Sequence, residues 1–178
     1  MSAFPDPSDT GLSALIEWMR QVLIEEPSRQ AAHAAGPLAP RLVELVGSQG
    51  PGKIALAVQA AARFRPYFPD GQFYVHAEAD AHGPDGLVGR LLRVFEIEPA
   101  RHGTLEEQTG WLRTTLRSRQ ALLVLDNVKE AAQVRPLLTS GGASAIIVLT
   151  PRRLAALEGV WTIDAGDSAP VDACSGVL

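Results

Sequence analysis

The stretch Leu42-Val43-Glu44-Leu45-Val46-Gly47-Ser48-Gln49-Gly50-Pro51-Gly52-Lys53-Ile54 decides how the rest of the chain is read. Its first part is a short, mostly apolar run that ends at a glycine and predicts a buried strand, while Lys53 to Arg65, rich in Ala and Leu, predicts a helix. Between them the glycines at 47, 50 and 52 let the backbone aim N–H groups and a helix N-terminus at one point. Such a point attracts an anion. The loop matches G-x-x-x-x-G-K, in which the lysine reaches the β- and γ-phosphates of a nucleotide, but Ile54 stands where Ser or Thr completes the motif. Lys53 is conspicuous for a second reason, since only it and Lys129 among the 16 basic residues are lysines.

Working outward, the apolar set Leu12, Leu15, Ile16, Met19 and Leu23, widened by Trp18 and Val22, has helical spacing and predicts a helix from Asp9 until Pro27 stops it. Its stripe fits a helix packed on its own core, the alternative being a partner-binding face. Residues 1 to 8 read as a loose tail and 28 to 40 as an Ala/Pro/Gly-rich connector, so 1–40 forms an N-terminal helix and linker ahead of a domain at 41–165, with a tail at 166–178. Downstream, the turn signal Pro69-Asp70-Gly71 precedes a strand at Gln72 to His76, and Leu87 to Phe95 reads as helix. Thr104 and Glu107 form a T-x-x-E capping box that opens a further helix. Ala121 to Leu125 and Ala145 to Leu149 are unbroken apolar runs, the pattern of strands buried on both faces, and are expected as central strands flanking the one that ends at Gly47. Helices are expected at Lys129 to Leu138 and Arg152 to Leu157, and a fifth strand at Val160 to Ile163. Alternating strands and helices of this kind predict a three-layer α/β/α domain around a five-stranded parallel sheet.

Composition narrows the function. With 178 residues, 46% hydrophobic and 20% charged, the chain is sized and composed as one folded domain. A net charge of -4 offers no electrostatic footprint for a nucleic-acid backbone, so direct nucleic-acid binding is not expected. Cys174 is the only cysteine, which leaves no intramolecular disulfide and no cysteine zinc site. No apolar run approaches the ~20 residues of a membrane span, and a cytoplasmic location is expected.

A second chemical element follows the loop at a distance. Asp126 closes the run Ala-Leu-Leu-Val-Leu at the C-terminal end of a predicted strand, where open α/β sheets bind ligands and a carboxylate can hold a magnesium water. Asn127 comes next, so no second carboxylate stands there to polarise an attacking water. Arg152 and Arg153, after the fourth strand, place cations where a γ-phosphate sensor could sit. His33, His76, His82 and His102 show no ligand spacing and receive no role.

In order and spacing, LVELVGSQGPGKIALAVQAA, FPDGQFYVHAEAD, LVGRLLRVFEIEP, ALLVLDNVKEAAQVRPLL and AIIVLTPRRLAALEGV resemble the NB-ARC-type P-loop nucleotide-binding domain of STAND ATPases, in particular those attached to bacterial SARP-type regulators. The resemblance covers about residues 42 to 165. It implies an ADP/ATP-dependent switch, with Gly47, Ser48, Gln49, Gly50, Gly52, Lys53 and Ile54 at the phosphates and Asp126 on magnesium. With a one-residue gap Arg152 matches the family's phosphate-sensing arginine, and without it Pro151 falls there. Two departures make the Walker A loop degenerate. Ile54 offers no oxygen to a hydrated cation, and Pro51 has no N–H at a position that normally donates to the β-phosphate.

Two readings follow. One is a regulatory switch that binds ADP or ATP with weakly held magnesium and impaired or absent hydrolysis. The other is a pseudo-NTPase that has lost nucleotide and serves as a protein-interaction module through the N-terminal helix. In either, the expected partners are a protein or the other domains of a regulator, and no membrane. An active NTPase or small-molecule kinase needs a magnesium ligand and a base that the sequence does not supply.

Overall fold

Apolar pentapeptides with side chains alternating to two faces build the centre of the molecule. A computed structural model describes residues 11–27, 41–47, 51–77, 86–97, 103–138, 142–154, 157 and 160–165. The expected tails, the connector at 28–40 and the loop residues Ser48, Gln49 and Gly50 lie outside them. Strands β1 (Leu42–Val46), β2 (Gln72–His76), β3 (Leu122–Asp126), β4 (Ala145–Thr150) and β5 (Trp161–Asp164) form one sheet in the order β2-β3-β4-β1-β5. Every pairing is parallel. Leu42, Leu123, Leu125, Ile146 and Val148 face one hydrophobic cluster, whereas Val43, Leu45, Leu122, Val124, Ile147 and Leu149 face the other. Both faces are therefore covered, as the unbroken apolar runs require.

The layer on the second face is α1 (Leu12–Arg20), which continues through a π-helical turn at Gln21–Glu25, together with α2 (Pro51–Phe64). Ile16, Met19, Val22 and Leu23 are buried there against the sheet's side chains and Leu56, Ala57 and Phe64 of α2. Trp18 meets Trp161 of β5 edge to face, with centroids 5.8 Å apart. The apolar stripe of α1 is thus core, not a free docking face. The opposite layer holds α3 (Leu87–Val94), α4 (Leu105–Ser118) and the short α5 (Ala131–Val134), after which Pro136 allows only a 3₁₀ turn. The capping box opens α4 as expected: the Thr104 hydroxyl accepts from the Glu107 N–H at 3.2 Å, and the Glu107 carboxylate accepts the Thr104 N–H at 2.8 Å. Gly71, at a φ of 119°, turns the chain into β2 in a conformation that side chains rarely adopt.

Two expectations are corrected. β3 lies beside β4 and not beside β1, whose second neighbour is β5; burial on both faces identifies a central strand without naming its neighbours. Nor do Arg152, Arg153 and Leu154 begin a helix: that segment follows an irregular path, with the Leu154 N–H donating to the side chain of Glu44. Among the described residues no helix is long and apolar enough to cross a membrane.

The inner strands carry the stability. Ile147, fully buried in β4, is expected to cost about 2 to 5 kcal/mol when truncated to alanine, and Thr104→Ala about 1 kcal/mol through the lost cap. Urea unfolding of the two variants checks both, and equal small losses would show that the core is not centred on β4.

Candidate functional site

Because all five strands run the same way, their C-terminal ends open on one edge, and the side chains there line a cavity of about 300 Å³. Lys53, Ile54, His76, Asp126, Asn127, Leu149, Thr150 and Pro151 form its wall. That volume stands at the small end of ligand pockets.

Lys53 sits in the first turns of α2, at 8% exposure, and its ammonium donates to the carbonyls of Gly47 and, at 2.6 Å, of Thr150. An ammonium has three protons to donate. Among the described residues two acceptors are present, so one donor remains for the cavity. Burial lowers the Lys53 pKa, and the negative charge of Asp126 acts in the opposite direction. An anion in the cavity would compensate the same desolvation. Gly52 lies in the first turn of α2, and Ile54, at 39% exposure, contributes an apolar patch to the rim.

Asp126 ends β3 opposite His76 of β2. Its Oδ2 accepts the Tyr74 hydroxyl at 2.6 Å and stands 3.4 Å from His76 Nδ1. His76 Nε2 in turn lies 3.2 Å from the amide nitrogen of Asn127. Asn127 reaches it from a left-handed backbone, with φ 59°, a conformation that asparagine tolerates better than most residues. Spacing along the chain gave His76 no role; its place beside Asp126 exists only through the β2–β3 register.

A second polar group was hidden inside β1. Glu44 is 1% exposed, and its carboxyl accepts the Leu154 N–H at 2.6 Å, the Thr162 hydroxyl at 3.0 Å and the Thr150 hydroxyl at 3.4 Å. It therefore ties the loop strand to β4, to β5 and to the segment between them. An acid in the middle of a strand buried on both faces has to find donors, and this was the available signal. The same tie places Pro151 in the cavity wall, whereas Arg152 is exposed and outside the lining. The structure thus brings Lys53, Ile54 and Asp126 together with Pro151 and leaves Arg152 apart.

Comparison with known proteins agrees with this geometry at the level of fold and lineage. No family model matches the chain. It is 35% identical over 168 residues to the regulatory protein AfsR of Streptomyces coelicolor, covering 92% of this chain and 16% of that protein. To the regulatory protein AfsR of Streptomyces griseus it is 36% identical over 171 residues, covering 94% of this chain and 17% of the relative. The chain spans about one sixth of the length of these relatives. Among solved structures, Cdc6p from Pyrobaculum aerophilum superposes with a TM-score of 0.53 at 14% identity, over 92% of this chain and 46% of that one, a likeness of fold alone. The domain is P-loop NTPase-like and homologous to a segment of a bacterial regulator.

Two measurements probe the polar groups. Glu44→Leu keeps the bulk but leaves the Leu154 N–H and two threonine hydroxyls without an acceptor, each worth about 1 to 3 kcal/mol when buried, and a marked drop in the urea midpoint is expected. Tyr74 offers a pH test. Burial, and then the Asp126 carboxylate that its hydroxyl meets, push its phenol up to about 12 from 10.0. A raised value means that the neutral phenol is favoured by folding, so its contribution is complete below pH 10 and fades as the pH rises toward 12. Phenolate absorbance, taken as the difference from Tyr74→Phe, should show this high transition, and Asp126→Asn should move it part of the way back. A transition unmoved by Asp126→Asn would contradict the contact.

Proposed function

We propose that this chain is the nucleotide-binding domain of a regulator, of NB-ARC type, which holds the phosphates of ADP or ATP on Lys53 and the α2 N-terminus and hydrolyses them slowly or not at all. The observation that carries the reading is the buried Lys53 ammonium at the head of α2, across a cavity from Asp126. A desolvated cation, a helix N-terminus and one remaining donor form an anion site. Homology to AfsR, named a regulatory protein, supports the regulatory part, with the other domains of such a regulator as partners.

Magnesium fits only weakly. Asp126 is the carboxylate in the cavity lining, Ile54 has no oxygen, and the Thr150 hydroxyl is turned to Glu44. Such a set would hold a largely hydrated ion that also binds phosphate oxygens, and the ion would neutralise phosphate charge there. For hydrolysis the lining offers Asn127 beside Asp126 instead of a second carboxylate, and His76 is engaged by Asp126 and Asn127.

The alternative, an interaction module without nucleotide, no longer rests on α1, whose apolar face is buried. It draws instead on Ile54 and Val58, one turn apart on α2 and 39% and 53% exposed.

Calorimetric titration decides between them. The chain is expected to bind ADP, and Lys53→Ala to weaken binding about tenfold or more, since a charged hydrogen bond is worth about 1.5 to 3 kcal/mol. Ile54→Thr combined with Pro51→Val should tighten binding and increase its magnesium dependence, while phosphate release from ATP by the unmodified chain stays at background. If neither the chain nor the double variant binds at about 1 mM nucleotide, the interaction module is the correct reading.

A further inference from the structure

Tyr74, His76 and Asn127 make one directional chain with Asp126. The tyrosine hydroxyl donates to Oδ2. If Asn127 donates its amide hydrogen to His76 Nε2, the imidazole proton must lie on Nδ1, from which it points at the same Oδ2. The three contacts then agree on a single tautomer. Both donors to Asp126 fall on Oδ2, and among the described residues Oδ1 carries no hydrogen bond.

We propose that Tyr74 and His76, with Asn127 behind them, are positioning residues that take up one oxygen of Asp126 and present the other to a divalent cation carried on the bound phosphate. This rests on the nucleotide reading above. The carboxylate is a flexible rotor whose ordering would otherwise have to be supplied by the cation itself. The clasp orders it in advance, as partners of metal-ligating groups commonly do. It also explains why a strand-end histidine without ligand spacing faces the cavity, and why Asn127, which cannot polarise water, occupies a left-handed turn that brings its amide to the ring. With no hydroxyl at position 54 to share the cation, Asp126 is the side chain on which its binding depends, so its orientation matters more here than in a complete site.

The test separates the clasp from a merely structural contact. ADP affinity is measured with and without magnesium in the unmodified chain, Tyr74→Phe, His76→Gln and Asp126→Asn. Tyr74 and His76 lie at an exposed strand end, so these conservative changes leave the core intact. The gain in affinity from magnesium, taken for each variant as the ratio of its affinities with and without the ion, should vanish in Asp126→Asn and fall about tenfold in Tyr74→Phe and His76→Gln. Equal losses with and without magnesium would overturn the proposal. Proton–nitrogen correlation of the His76 ring gives a ligand-free readout. It should show the Nδ1–H tautomer, mixing with the other in Asp126→Asn, and an Nε2–H ring in the unmodified chain would overturn it. Should the chain bind no ADP, or bind it without a gain from magnesium, the nucleotide or magnesium part of the function fails on its own. Manganese with inorganic phosphate then decides: broadening of the His76 resonances that is lost in Asp126→Asn and reduced in Tyr74→Phe upholds the clasp, and no broadening refutes it.

Discussion

The carbonyl of Thr150 is where the sheet and the site depend on each other. It accepts the Gly47 N–H at 3.2 Å, which closes β1 against β4, and the ammonium of Lys53 at 2.6 Å, which anchors the first turns of α2 to the same point. On the other side of that residue its hydroxyl is held by Glu44, whose carboxyl also collects donors from Leu154 and Thr162. One residue at the end of β4 thus joins the loop strand, the helix that follows the loop and the turn toward β5. The position of the cation over the cavity is set by backbone and sheet, with little left to side-chain freedom.

This arrangement explains which parts were legible in advance. Strands were readable because a run such as Ile146-Ile147-Val148-Leu149 can only be satisfied between two covered faces, and Thr104 with Glu107 announced α4 because the cap is a local bond. Lys53 and Asp126 were found through their place at strand and helix ends. Strand order was not readable, since burial on both faces suits β3 beside β1 and beside β4 equally. The irregular segment after Thr150 was not readable either: its Leu154 N–H goes to Glu44, far away in sequence, a bond that the local pattern does not announce.

His76 shows the same limit at the site itself. Histidines were judged by their spacing from one another, whereas its chemistry comes from lying across from Asp126 in the β2–β3 register. Register is a tertiary property. Tyr74, two residues earlier and so on the same face of β2, follows from that single pairing, and the polar cluster at the cavity mouth appears all at once when the two strands are aligned.

On the nucleotide reading proposed above, anion binding and cation binding are separable, and the reason is helical geometry. Lys53 and Ile54 are consecutive on α2, so they point about 100° apart: the lysine reaches the sheet edge at the Gly47 and Thr150 carbonyls, and the next side chain stands on the rim. The lysine is fastened by two backbone carbonyls that no substitution at position 54 removes. Replacing a hydroxyl by isoleucine there takes away a cation ligand and leaves the ammonium and the helix N-terminus where they were. Pro51 acts differently, because it removes a donor from the backbone while its fixed φ suits the first turn of the helix that it occupies. On the nucleotide reading proposed above, a domain altered at these two positions keeps the electrostatic attraction for phosphate and leaves Asp126 to hold the cation without a hydroxyl at position 54.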